Sequence, residues 1–332
     1  MAVTDRAAVV SAPQTPRRRR LPAAAPILLL ALTALLLGIG NFLAPGFAAP
    51  DNVLQLLKLS SFLGIAAIGQ TIVMLTGGID LSIAWVITGS AVVFTANCSG
   101  ADGNIAPAAA LSLGLGLAVG LINGWGVTKL RISPIVMTLA MNNIMLGATL
   151  VYTGGTPSGS SGPLVRALAT GNVGFIPAMV ILWCLLTAVT VIGVRYTRGG
   201  RRLLAVGESP RVSFLTGSNN DRVVVAAYAI SGLAAALTGI LFSAFSGASF
   251  LGMGDQFVLP TIADVVLAGT SMFGGRGGYG GTVAAVFFTT ILTTVLVIGS
   301  IPQGVRSIVY GAAVLAAIIV QRLLSRRDDT GQ

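Results

Sequence analysis

A chain of 332 residues with 54% hydrophobic and 9% charged side chains carries too few charges to coat a soluble globule, where about 25% is usual. The composition excludes a soluble domain and places the chain in a bilayer. The net charge of +10 comes from 18 Arg and two Lys, but these fall in short clusters between apolar runs, which makes them topology signals and argues against nucleic-acid binding.

In chain order, Arg17 to Arg20 precede an apolar run that begins at Leu21. It continues to about Ala44 without a small-residue processing site, so it reads as a first span and not a cleaved signal, with residues 1–20 a cytoplasmic tail. A span needs roughly 20 apolar residues with every backbone polar group paired inside the segment. Ten runs qualify: 23–44, 53–75, 79–98, 105–128, 133–153, 173–194, 223–246, 257–273, 279–300 and 304–324. The eighth is short enough to be partly re-entrant. With the tail inside, seventeen of the twenty cations fall in cytoplasmic segments and only Lys58, Arg166 and Arg306 fall outside. The expected fold is therefore all-α and polytopic, with ten transmembrane helices, broken or re-entrant in places, and both termini cytoplasmic. One transmembrane domain is expected over 21–325, followed by a cytoplasmic tail at 326–332. Cys98 and Cys184 are the only cysteines and imply no disulfide framework.

Two polar, glycine-rich breaks interrupt the spans: Thr76-Gly77-Gly78-Ile79-Asp80-Leu81-Ser82, and Gly269 to Gly278 with Arg276 inside it. Paired breaks in the two halves of a transporter point to a transport path. Asp80 and Asp264 sit at or inside apolar segments, where a bare charge is costly; Asp80 is read first as a cap on the third helix. Gln70, Asn123, Asn142 and Asn143, with Trp85, suit a hydroxyl-rich ligand, because amides donate and accept while an indole face packs on sugar C–H groups. They suit interhelical hydrogen bonding equally well. The substrate-path candidates are Gln70, Asp80, Trp85, Asn142, Asn143 and Asp264.

The longest cytoplasmic connection, about 195–222, carries an apolar stripe and several cations, the pattern of a short amphipathic helix at the membrane surface. It reads as a topology-setting, lipid-binding loop or as a docking element for a cytoplasmic partner. No G-x-x-x-x-G-K-[ST] loop surrounds Lys58 or Lys129, so this chain is not itself an ATPase. With no His and ten acids in all, the chain offers little material for a metal or nucleophilic centre, and no cofactor is expected.

Several segments are similar to the ribose, arabinose and xylose type permeases of bacterial ABC importers. They are Leu75 to Ser82, Leu150-Val151-Tyr152-Thr153-Gly154-Gly155, Thr197-Arg198-x-Gly200-Arg201, and Val266 to Ser271 through Gly275-Arg276-Gly277. The resemblance covers about residues 50–320. It implies an inner-membrane permease paired with a second permease, docked on cytoplasmic ABC ATPase subunits and fed by a periplasmic or lipid-anchored sugar-binding protein. ATPase docking would fall on Thr197, Arg198, Gly200, Arg201, Ala205, Gly207, Glu208, Leu215 and Gly217. Where relatives read G-x-N-x-x-A-A-x-x-x-G, this chain has Gly207-Glu208-Ser209-Pro210-Arg211-Val212-Ser213-Phe214-Leu215-Thr216-Gly217. Permeases for branched-chain amino acids or nucleosides, and an autonomous carrier or channel, remain as alternatives.

Overall fold

The computed structural model describes residues 24–302, 304–309, 311, 312 and 315. The tail at 1–20, most of the tenth expected span and the tail at 326–332 lie outside the described residues. The described residues are all-α apart from one hairpin of two two-residue strands. Helix α1 spans Ala24–Leu43, α2 Pro50–Leu75, α3 Ile83–Cys98, α4 Ile105–Thr128, α5 Pro134–Thr153 and α6 Pro163–Thr170. Strands β1 (Asn172–Val173) and β2 (Ile176–Pro177) then pair antiparallel. Helices α7 (Ala178–Tyr196), α8 (Arg198–Glu208), α9 (Pro210–Leu215), α10 (Asn220–Ser246), α11 (Asp255–Leu267) and α12 (Tyr279–Ile298) complete the order.

Among the described residues six helices are long and apolar enough to cross a membrane: α2, α4 with the 3-10 turn before it, α5, α7, α10 and α12. The protein is thus a multi-pass, all-α membrane protein. Along its most apolar 18 residues α2 is 89% buried, against 17% for α7, so α2 lies inside the bundle and α7 on its perimeter. Helix α10 packs on α2, α3 and α4. Its seam with α4 is built from backbone: a Cβ on Gly116 would strike the Gly232 carbonyl, and one on Gly120 the Tyr228 carbonyl. Where lipid supplies no hydrophobic drive between helices, such close approach supplies the dispersion contacts that hold them. Phe62 of α2 meets Phe242 of α10 at 5.5 Å between ring centroids, and Phe242 meets Phe257 of α11 at 5.3 Å.

Two expectations are corrected. The sixth span begins at Ala178, not 173, because Val173, Phe175 and Ile176 belong to the hairpin or its turn. Phe175 is 91% exposed there. The 195–222 connection holds two helices, since Ser209 stops α8 and its Oγ accepts from the Val212 N–H at 3.4 Å, with Pro210 opening α9.

Helix α11 begins deep in the bundle. After α10, Ser249 Oγ lies 2.7 Å from Thr95 Oγ1, yet the Gly254 N–H already donates to Thr88 Oγ1 at 3.1 Å. Seven residues of α3 separate those contacts, a descent of about 10 Å at 1.5 Å per residue. The loop ahead of α11 therefore runs alongside α3 into the bundle before the helix starts.

Candidate functional site

Helix α2 ends at Leu75, and Gly77 turns the chain back with φ +84°, a left-handed conformation that glycine adopts without steric cost. The returning segment is gripped from three sides. The Asp80 carboxylate, 2% exposed, accepts at Oδ1 from the Ser82 N–H (3.0 Å) and Ser82 hydroxyl (2.6 Å), and at Oδ2 from the Ser231 hydroxyl of α10 (2.7 Å). From α4, the Asn123 amide donates to Ser82 Oγ at 2.9 Å. From α5, Thr138 Oγ1 accepts the Leu81 N–H at 3.0 Å. Three bonds to one carboxylate in a low-dielectric interior are what make its burial tolerable.

Asp80 does not cap α3 as expected. Its bonds close the turn before the helix, and Ser82 makes no side-chain cap bond. Instead Asn142 reaches over from α5, its Oδ1 accepting the Trp85 N–H at 3.4 Å in the first turn of α3. Asp80, Trp85, Asn123 and Asn142 are thus assembled around the start of α3. Asn143 is not: it is exposed and its amide donates to Leu139 of its own helix at 3.0 Å.

Gln70 and Asp264 lie elsewhere, on α2 and α11, each 0% exposed. Asp264 Oδ1 accepts from the Thr289 hydroxyl of α12 at 2.5 Å, while Oδ2 and both amide atoms of Gln70 have no hydrogen-bond partner among the described residues. Buried polar atoms left unpaired are costly.

The segment expected to dock a partner is built from named caps. Thr197 Oγ1 accepts the Gly200 N–H at 3.1 Å to start α8, and an Arg201 guanidinium N–H donates to the Tyr196 carbonyl at 3.2 Å. Arg198, Arg201, Ala205, Glu208 and Leu215 are exposed. Gly217 follows α9 with φ +79° and open space around it.

Sequence reasoning missed that this segment and both glycine breaks meet at one point. The Gly275 N–H donates to the Leu75 carbonyl at 3.0 Å. A Cβ on Gly207 would run into that carbonyl and the Gly275 nitrogen, and one on Gly274 would sit 2.7 Å from the Gly77 nitrogen and 2.9 Å from the Gly207 Cα. Beside this backbone junction Arg276 grips Glu208 with two bonds, Nη2 to Oε1 at 2.8 Å and Nε to Oε2 at 3.2 Å. The hydrogen bond from Arg276 holds the Glu208 carboxyl below its ordinary value of 4.5. The clustering of glycines near 77, 207 and 275 was the available signal, since close backbone approach is one of the few uses for such a residue.

This architecture, a polytopic bundle with broken helices and an amphipathic helix pair locked to the breaks, is that of a transport permease. The family described as "Branched-chain amino acid transport system / permease component" matches residues 52–320, and the chain belongs to it. It is 33% identical over 297 residues to the ribose import permease protein of Bacillus subtilis (strain 168), covering 86% of this chain and 88% of that protein. It is 31% identical to the ribose import permease protein of Escherichia coli (strain K12), covering 86% and 90%. It is also 30% identical to an autoinducer 2 import system permease protein of Escherichia coli O157:H7, covering 87% and 90%. No solved structure matches the chain at a significant level.

Proposed function

We propose that the chain is the membrane-spanning permease of an ATP-driven importer for a monosaccharide or related polyol, resident in a bacterial inner membrane. The observation that carries this reading is the junction at Leu75, Gly207 and Gly275. It places the end of a surface helix, able to receive an outside push, against the ends of the two segments that interrupt the bundle. Ten helices with both termini cytoplasmic would put this junction on the cytoplasmic face. A separate ATPase chain would hydrolyse the nucleotide, with a second permease completing the membrane unit and a periplasmic or lipid-anchored binding protein delivering substrate. Closure of the ATPases would shift the bundle between inward-open and outward-open arrangements.

The sugar assignment draws on the relatives, two of which are named for ribose and one for autoinducer 2. The polar groups around α3, with Trp85, Asn142 and Asp80 among them, and the unpaired Gln70 and Asp264 are the side chains proposed to line the path. The test is uptake of radiolabelled pentoses, hexoses and polyols by cells with and without this gene, each carrying an intact ATPase or one with a dead phosphate loop. Loss of uptake in both single defects supports the proposal and names the substrate. Uptake that persists with the dead ATPase overturns it in favour of an autonomous carrier.

A further inference from the structure

The segment between α11 and α12 carries Phe273 with 91% of its surface exposed, although the residues on either side are held firmly. Its carbonyl lies 3.1 Å from where a Cβ on Gly77 would stand, and the next residue, Gly274, is buried against Gly77 and Gly207. A mobile loop tip does not explain this exposure. The backbone at Phe273 and Gly274 packs on Gly77, just past the end of α2, the most deeply buried of the span-length helices. An exposed aromatic ring on a backbone packed tightly on both sides is a common form of interface anchor.

The surroundings specify what would cover it. On α9, which follows α8 at Ser209, Val212 is 59%, Phe214 71% and Leu215 77% exposed, so the α8–α9 segment presents bare apolar side chains as well. Around it Arg198, Arg201, Arg202 and Arg211 are exposed. Among the described residues the acids near these arginines are already taken, Glu208 by Arg276 and Asp221 by Lys129 at 2.7 Å. The exposed charge left over among the described residues of the face is therefore positive.

We infer that the α11–α12 segment is a second docking element, and that Phe273 enters an apolar pocket, rimmed by acidic side chains, on the same ATPase subunit that receives α8 and α9. The inference rests on the importer reading above and extends its contact surface from one segment to two. Because Gly274 and Gly275 are interlocked with Gly207 and Glu208, the two elements are presented as one rigid surface, which lowers the ordering cost of binding.

The experiment replaces Phe273, and separately Leu215, with the photo-crosslinker p-benzoylphenylalanine in the full chain, reconstituted in liposomes with its ATPase subunit. Adducts to the ATPase from both positions are expected. In parallel, Phe273→Ala should weaken retention of the ATPase subunit by about tenfold, the loss of one interface anchor, while Phe273→Tyr retains it. An adduct from 215 with none from 273, or with only phospholipid adducts at 273, overturns the second element and leaves the importer reading standing. No ATPase adduct from either position overturns both.

Discussion

Arg276 and Glu208 form a two-point ion pair between segments 68 residues apart, with Nη2 2.8 Å from Oε1. Both side chains are more than half exposed, so water screens the pair and its contribution to stability is about 0.2–1 kcal/mol. Its effect should lie in coupling. Glu208→Gln is expected to leave the protein folded but lower transport several-fold at unchanged ATPase activity, and paired uptake and hydrolysis assays on reconstituted protein check this. The folded carboxyl lies below its ordinary value, so the pair is whole above about pH 4.3–4.5 and is lost as pH falls through the depressed value. Thermal unfolding of wild type and Glu208→Gln should therefore differ at pH 7 and converge once the pH falls below the depressed value.

Gly207→Ala places a methyl group against two backbone atoms that cannot rotate away, the Leu75 carbonyl oxygen and the Gly275 nitrogen. Overpacking of this kind costs roughly 1–3 kcal/mol. The expected outcome is a lowered midpoint in thermal unfolding of detergent-purified protein, together with loss of transport. Gly199→Ala, whose nearest neighbour is the Thr197 hydroxyl at 3.6 Å, should leave both intact.

On the α4–α10 seam, Gly120→Val should prevent close packing, because its Cβ would meet the Tyr228 carbonyl. Gly114→Val, on the same helix with nothing within 4 Å, is the matched control. Size-exclusion profiles after mild heating should show aggregation of the first variant only.

Asp80→Ala leaves the Ser82 N–H and two hydroxyls without their acceptor in a buried site, at about 1–3 kcal/mol for each unsatisfied group. Asp80→Asn keeps an acceptor for Ser82 and presents an amide to Ser231 Oγ, which can accept. We expect Asp80→Ala to be poorly folded and Asp80→Asn to be folded with reduced uptake. If the two variants unfold at the same temperature, the clamp around the α2–α3 turn has been overestimated.

The long spans were legible because twenty or more apolar residues in a row have little alternative to helix. Helix α4 matches its expected limits, and α2, α5, α10 and α12 differ from theirs by a few residues at one end. The hairpin at 172–177 was hidden by its own apolar residues, which extended the hydropathy of α7 outward. The division of the 195–222 connection at Ser209-Pro210 was written in the sequence as a cap followed by a helix-opening proline, but the amphipathic pattern of α8 masked it. The site was less legible, since Asp80 and Ser231 are 151 residues apart and nothing local to either residue announces the other. Side-chain chemistry identified candidates; only the fold showed that Asp80, Asn123 and Asn142 serve one turn while Asn143 stands apart.

At the meeting point of Leu75, Gly207, Gly274 and Gly275 the touching surfaces are almost wholly main chain. A contact made by long side chains has slack, because rotamers can change and take up a displacement before anything behind them moves. Main chain on main chain has no such play. A shift of α8 by a fraction of an ångström must be passed to the end of α2 and to the segment leading into α12, as in a hinge whose pin fits its sleeve without clearance. On the proposed function, the exposed residues of α9 could then be exchanged to suit a different motor while the stroke delivered to the bundle stays the same.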